Sequence, residues 1–214
     1  MKVKGFLVAL LSLFLFVVPV QADTYLDFNM DAIHPSTASI SFAGGAAPLI
    51  GVDISVDTVT GINTPLNSGI PGQVAIDGIL AFTTGNFTGF SGNTWNFGPG
   101  GSISVIDQWG YNLITGDFIS AQVVGAGDTF KVTIATFVDE KYEGMLAYFG
   151  LPNVPYSGNM NLSFYGTGIA PGAIASTSIL SGDLTNKAVP EPMSLILLGS
   201  GLVGLGLCRR FKKP

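Results

Sequence analysis

The sequence predicts an all-β exported domain, an antiparallel β-sandwich or β-barrel of about ten strands. Three observations predict it. Apolar and polar residues alternate with period two along most of the middle of the chain. Turn-forming residues recur every 8–15 positions. No stretch of the middle sustains a 3.6-residue period with good helix formers, which leaves no crossovers for a parallel βαβ arrangement.

The elements follow in order. Tyr25-Leu26-Asp27-Phe28-Asn29-Met30-Asp31 alternates strictly, as a half-buried strand does. Ala38, Ile40 and Phe42 alternate with Thr37, Ser39 and Ser41, and Ile103 and Val105 with Ser102 and Ser104. Phe130, Val132 and Ile134 alternate with Lys131, Thr133 and Ala135. Further strands are expected at 51–59, 73–83, 117–124, 145–149 and 160–165. Between them stand Gly44-Gly45, Asn67-Ser68-Gly69, Pro71-Gly72, Gly98-Pro99-Gly100-Gly101, Gly125-Ala126-Gly127-Asp128 and Ser157-Gly158-Asn159, all read as turns. Thr84-Gly85-Asn86-Phe87 is echoed by Thr115-Gly116-Asp117-Phe118 and Ser181-Gly182-Asp183-Leu184. Each Gly-Asn or Gly-Asp pair reads as a tight hairpin, either as a stacked repeat or as turn chemistry used again.

Charge is sparse and unevenly placed. Only 11% of the 214 residues are charged, and 6 of the 9 basic ones lie at the two ends. Residues 23–188 hold 3 basic against 13 acidic side chains, a net charge of −10. No basic stripe exists to neutralise phosphates, so nucleic acid is not an expected partner. One cysteine, Cys208, excludes an intramolecular disulfide framework, and one histidine, His34, excludes a histidine-rich metal cluster.

Both ends are targeting segments. In residues 1–22, Lys2 and Lys4 precede an apolar run, Pro19 breaks it, and Val20-Gln21-Ala22 offers small residues at the cleavage positions. This is a secretory signal peptide, with cleavage expected between Ala22 and Asp23. Residues 189–214 begin with Val189-Pro190-Glu191-Pro192. Residues 193–207 then carry no charge, and Arg209, Arg210, Lys212 and Lys213 close the segment. As a helix the apolar run spans roughly 22 Å, short of a ~30 Å hydrocarbon core, so it reads as a short transmembrane stop. The basic cluster behind it favours a cytoplasmic tail, and the lysines of the signal peptide place residue 1 on the same side. The middle, residues 23–188, is then exported. Cys208 at this boundary reads as a small apolar helix residue.

The order Pro190-Glu191-Pro192, a Gly-rich apolar run through Leu197-Leu198-Gly199-Ser200-Gly201-Leu202 and Gly204-Leu205-Gly206, and the basic stop at Arg209 and Arg210 resembles the PEP-CTERM sorting signal of Gram-negative bacteria. The mixed Arg/Phe/Lys finish is a slight departure from its usual arginine run. The resemblance covers about 26 residues and leaves the central domain unassigned. It implies processing by an exosortase, a membrane-embedded transpeptidase-like enzyme, with transient residence of residues 193–208 in the inner membrane. It also implies delivery to the cell surface or extracellular matrix, often with exopolysaccharide or biofilm.

The middle offers few candidates for chemistry, and no catalytic, cofactor or metal residue is assigned. Glu140 and Glu143 are its only glutamates and could serve a carboxylate-dependent glycoside hydrolase, although the stretch from Asp139 to Gly144 reads as a solvated hairpin end. Asp27 with Asp31, and Asp53 with Asp57, lie four apart, about 13 Å along a strand and too far to share one ion. His34, before Pro35, lacks a Gly-x-Ser-x-Gly elbow to act upon. Trp95, Phe97, Trp109 and Tyr111 flank the 98–101 turn, and the two tryptophans could form a sugar-stacking platform, or equally sandwich core. The main expectation is a non-enzymatic surface or matrix protein; a secreted carbohydrate-binding module resting on the two tryptophans is the alternative.

Overall fold

A computed structural model describes residues 23–31, 37–168 and 171–189 of the chain. The expected signal peptide with Ala22, His34, the Pro190-Glu191-Pro192 triplet, the apolar run, Cys208 and the expected basic stop of Arg209, Arg210, Lys212 and Lys213 lie outside those residues.

The strands form one closed antiparallel barrel, which decides between the two predicted architectures. β1 (Tyr25–Asp31) and β2 (Ser39–Phe42) lie end to end between β3 (Pro48–Ile62) and β10 (Ile174–Ala188). β5 (Thr94–Phe97) and β6 (Ser102–Ile106) likewise share one rank between β4 (Val74–Ser91) and β7 (Asn112–Ala126). β8 (Thr129–Lys141) and β9 (Tyr156–Gly168) complete the circuit from β7 to β10. With each broken rank taken as one stave, ten strands make an eight-stave, up-and-down barrel, sealed where β10 pairs with β1 and β2. Closure pairs the first and last staves of the described sheet with each other, so neither is left as a free edge strand along the paired stretches.

The alternation in the sequence becomes inside and outside. In β9, Tyr156, Met160, Leu162 and Phe164 are buried, while Ser157, Asn159 and Tyr165 are exposed. A barrel of this size has an interior just wide enough for side chains to fill. Aromatic rings fill much of it: Phe130 stacks on Phe164 at 5.5 Å, and Phe42 meets Phe97 edge-on at 5.3 Å. Apolar side chains inside and polar ones outside reverse the pattern of barrels that cross membranes. Among the described residues, no helix is long and apolar enough to cross one.

Four local expectations are corrected. Residues 145–149 are not a strand but lie in α1 (Glu143–Phe149). Met145, Leu146 and Phe149 bury one face of it, a helical spacing that strict alternation cannot provide, and Gly150 ends it at φ 69° with its N–H turned back to Ala147 and Leu146. Ser157-Gly158-Asn159 is not a turn but part of β9. A Cβ on Gly158 would stand 2.1 Å from the Phe137 ring and 2.4 Å from the Asn186 amide, so the glycine makes room for side chains of the neighbouring staves. The three echoed tetrapeptides are not hairpins and lie inside β4, β7 and β10. The stretch 98–101 interrupts a stave, β5 to β6, instead of reversing the chain.

Stave directions give the barrel two distinct ends. β1 starts and β10 finishes at the same end, here called the near end. The 63–73 segment, the loop from β6 to β7, and α1 also lie there, because each joins a stave arriving at that end to one leaving it. The chain termini of the described region are tied together. Lys187 Nζ pairs with Asp23 Oδ2 at 2.5 Å, Asn63 Nδ2 donates to the Asp23 carbonyl at 3.0 Å, and the Val189 N–H donates to the Pro155 carbonyl at 3.0 Å.

Candidate functional site

The near end holds an apolar cleft of about 220 Å³ between α1 and the β6–β7 loop. Its floor is barrel core, with Val59, Val74, Ile76, Leu113, Met145 and Phe149, and its lip carries Trp109, Tyr142 and Tyr148. The loop is held by Asp107, whose Oδ1 accepts the backbone N–H groups of Trp109 at 3.0 Å and Tyr111 at 2.8 Å. That Asx geometry turns Trp109 outward, 65% exposed. Tyr111 stacks on Tyr142 with ring centroids 4.8 Å apart and planes at 21°. The Tyr142 N–H donates to the Leu113 carbonyl, so the stack joins the loop to the start of α1.

The two tryptophans are not brought together. Trp95 is a core residue, 3% exposed, packed between Phe90 and Phe130 with its indole N–H donated to the Gly172 carbonyl at 3.2 Å. It lies toward the far end of the β5/β6 stave, while Trp109 follows the near end of that stave. At strand rise the separation is roughly 35 Å, so no two-tryptophan platform exists. The exposed aromatic group is instead Trp109 with Tyr111, Tyr142 and Tyr148. Tyr142 and Tyr148 escape the sequence reading because they meet the loop only once the stretch 143–149 is helical.

Asp139 and Lys141 are not a solvated hairpin end. They sit two apart on β8 and therefore share a face, which points inward, and both side chains are fully buried. They form an ion pair, Asp139 Oδ1 also accepts from Asn186 Nδ2 at 2.9 Å, and Lys141 Nζ lies 5.0 Å from the Tyr156 ring centroid. Burial pushes the Lys141 ammonium well below the ordinary lysine range. Burial also raises the Tyr156 phenol to about 12, and its hydroxyl donates to the Pro152 carbonyl at 2.8 Å. Glu140, between the pair, is exposed, and so is Glu143, whose Oε1 accepts from Asn153 Nδ2 at 3.3 Å. Neither glutamate lines the near-end cleft.

Two further acidic groups lie on the barrel wall. Asp53, Asp57 and Asp77 border an outer cavity of about 410 Å³ with Thr37 and Ser55. Among the described residues, no group of three or more His, Cys, Asp or Glu side chains could hold a metal ion. Asp27, on β1, is pushed above the ordinary carboxylate range, first by burial and then by the charge of Asp183.

The β10 stave delivers the chain, past Val189, into the segment that carries the targeting residues. Residues 188–210 match the family model of the PEP-CTERM protein-sorting motif. The chain carries a PEP-CTERM sorting motif. It is accordingly an exosortase-targeted exported protein of the cell envelope or surface. No curated protein and no solved structure matches the chain.

Two stability measurements test the buried polar groups. Asp139→Ala strands the Lys141 ammonium in the core and should cost about 3–5 kcal/mol in denaturant unfolding, whereas Asp139→Leu with Lys141→Met should restore most of it. Equal losses in the single and double variants would contradict the pairing. For Asp27, a raised folded-state pKa means that ionisation opposes folding above the unfolded value, 3.8, and has no such effect below it. Asp27→Asn should therefore raise the melting temperature at pH 7, and the gain should vanish once the pH falls below that value. A gain that is the same at both pH values would sink this reading.

Proposed function

We propose that the mature barrel is a non-enzymatic structural component of the cell surface or extracellular matrix, released or displayed after an exosortase acts near Pro190-Glu191-Pro192. The observation that carries this reading is the convergence of Asp23 and Val189 at one end of a closed barrel. A domain built this way is complete before processing. Removing residues 1–22 and cutting beyond Val189 takes no strand from it. Exopolysaccharide is the proposed surrounding. The outer face of β9 exposes Ser157 and Asn159, uncharged hydroxyl and amide groups suited to hydrogen bonding with a neutral, hydrated polymer. Net acidity keeps such barrels mutually repelling and soluble.

The test is deletion of residues 190–214, followed by fractionation and intact-mass measurement of the secreted and cell-bound protein. The reading predicts that the full chain matures to a shorter surface or matrix form that depends on the host exosortase gene, and that the truncated chain never shows this pattern. The same mature mass and the same surface display from both chains would refute it.

A further inference from the structure

Among the described residues, five aromatic side chains are markedly exposed, and four of them, Trp109, Tyr111, Tyr142 and Tyr148, stand at the near end. Tyr165 lies on the other half of the barrel, toward the far end of β9. Leu66 and Ile70, 54% and 81% exposed, belong to the adjoining 63–73 segment. That segment is fastened to α1: the Leu66 N–H donates to the Phe149 carbonyl at 3.1 Å, and Asn67 Nδ2 donates to the Tyr148 carbonyl at 2.7 Å. The six side chains thus form one braced rim around the apolar cleft.

The chain beyond the described residues says what this rim faces. Val189 is bonded to the near end, and the apolar run begins at Met193. Four residues reach at most about 14 Å when fully extended. While residues 193–207 occupy a bilayer, the Val189 corner of the near end is therefore held within about 14 Å of the hydrocarbon boundary. Tryptophan and tyrosine are the side chains that favour the headgroup layer at that boundary, because an apolar ring and a polar handle suit its two sides. Charge adds nothing to the attraction. Glu140 and Glu143 lie at this end, and Lys187, the exposed cation there among the described residues, is paired with Asp23.

We infer that the rim of Trp109, Tyr111, Tyr142, Tyr148, Leu66 and Ile70 is a bilayer-docking surface that seats the barrel on the membrane interface and holds the Pro190-Glu191-Pro192 triplet at headgroup level. The inference rests on the reading of residues 193–208 as a membrane segment. The partner is a zwitterionic lipid interface, engaged by aromatic and aliphatic contact.

The full chain is reconstituted into phosphatidylcholine vesicles, and tryptophan quenching is measured with aqueous iodide and with lipids brominated high on the acyl chain. Trp109→Phe isolates the Trp109 signal, and Tyr165→Trp in the Trp109→Phe background reports on the far end. Docking predicts iodide quenching at least about threefold weaker for Trp109 than for the far-end reporter, with bromolipid quenching of Trp109 alone. Leu66→Ser with Ile70→Ser, changes on an exposed segment, should reduce the bromolipid effect, and added phosphatidylglycerol should not increase it. A chain that floats with the vesicles while Trp109 stays open to iodide overturns the docking surface and leaves the membrane segment standing. A chain that does not float overturns both. Shielding of Trp109 by a soluble β-glucan without vesicles would assign the rim to glycan and also overturn the inference.

Discussion

The ladder between the first and last staves is the constraint on which the rest of the structure depends. Leu26 through Asp31 face Asn186 through Ser181, and the contact joins residues 150 to 160 positions apart. Without it the sheet would have two open edges, and the inward faces of β1 and β10 would lose their cover. With it, Leu26, Phe28, Met30 and Leu184 are all but sealed from solvent. Hydrogen bonding along the ladder and burial behind it are one cooperative event, because the alternating pattern fixes which side faces in and a one-residue slip would turn every side chain over. The loop closure spans nearly the whole domain, so its entropic cost is large and the contact belongs late in folding.

Closure also decides how the domain relates to the segments that flank it. An even number of staves returns the chain to the end from which it set out. The exported body therefore begins and finishes on one side, with the Asp23–Lys187 ion pair across the gap. That pair is exposed and contributes little stability of its own; the neighbouring ladder fixes the geometry. The same end collects α1, the Asp107-anchored loop and the exposed aromatic side chains. The opposite end is made of short glycine-containing turns such as the one at Gly44 and Gly45, both at positive φ. The two ends are chemically unlike, and only one is next to the sorting motif.

Much of this was legible in the sequence, for physical reasons that also explain the failures. β1 was readable residue for residue because its alternation is unbroken. β10 was not, since irregular register between Ser176 and Ser178 and between Ile179 and Ser181 scrambles the period of two. Glycine misled in the other direction. Gly85, Gly116 and Gly182 resemble turn residues, but they lie within staves where a neighbouring backbone or side chain comes too close for a Cβ. Asp139 and Lys141 looked like surface charges because local sequence does not reveal which strand end turns inward. Trp95 and Trp109 looked alike, and only topology separates a core ring from a rim ring. The sorting motif was plain because its information is linear: three features in order, independent of any fold.

The most direct test of the account is a cross-link across the closing ladder. Asp27 and Thr185 are opposed residues in the β1–β10 register, and opposed positions in antiparallel strands lie within disulfide range. With Cys208→Ser removing the native thiol, Asp27→Cys together with Thr185→Cys should oxidise readily in the folded protein. The product should be a cross-linked chain of faster electrophoretic mobility, with its secondary structure unchanged. Thiols that stay free under oxidising conditions in a folded chain would mean that β10 does not return to β1, and that the chain does not enter and leave the barrel at one end.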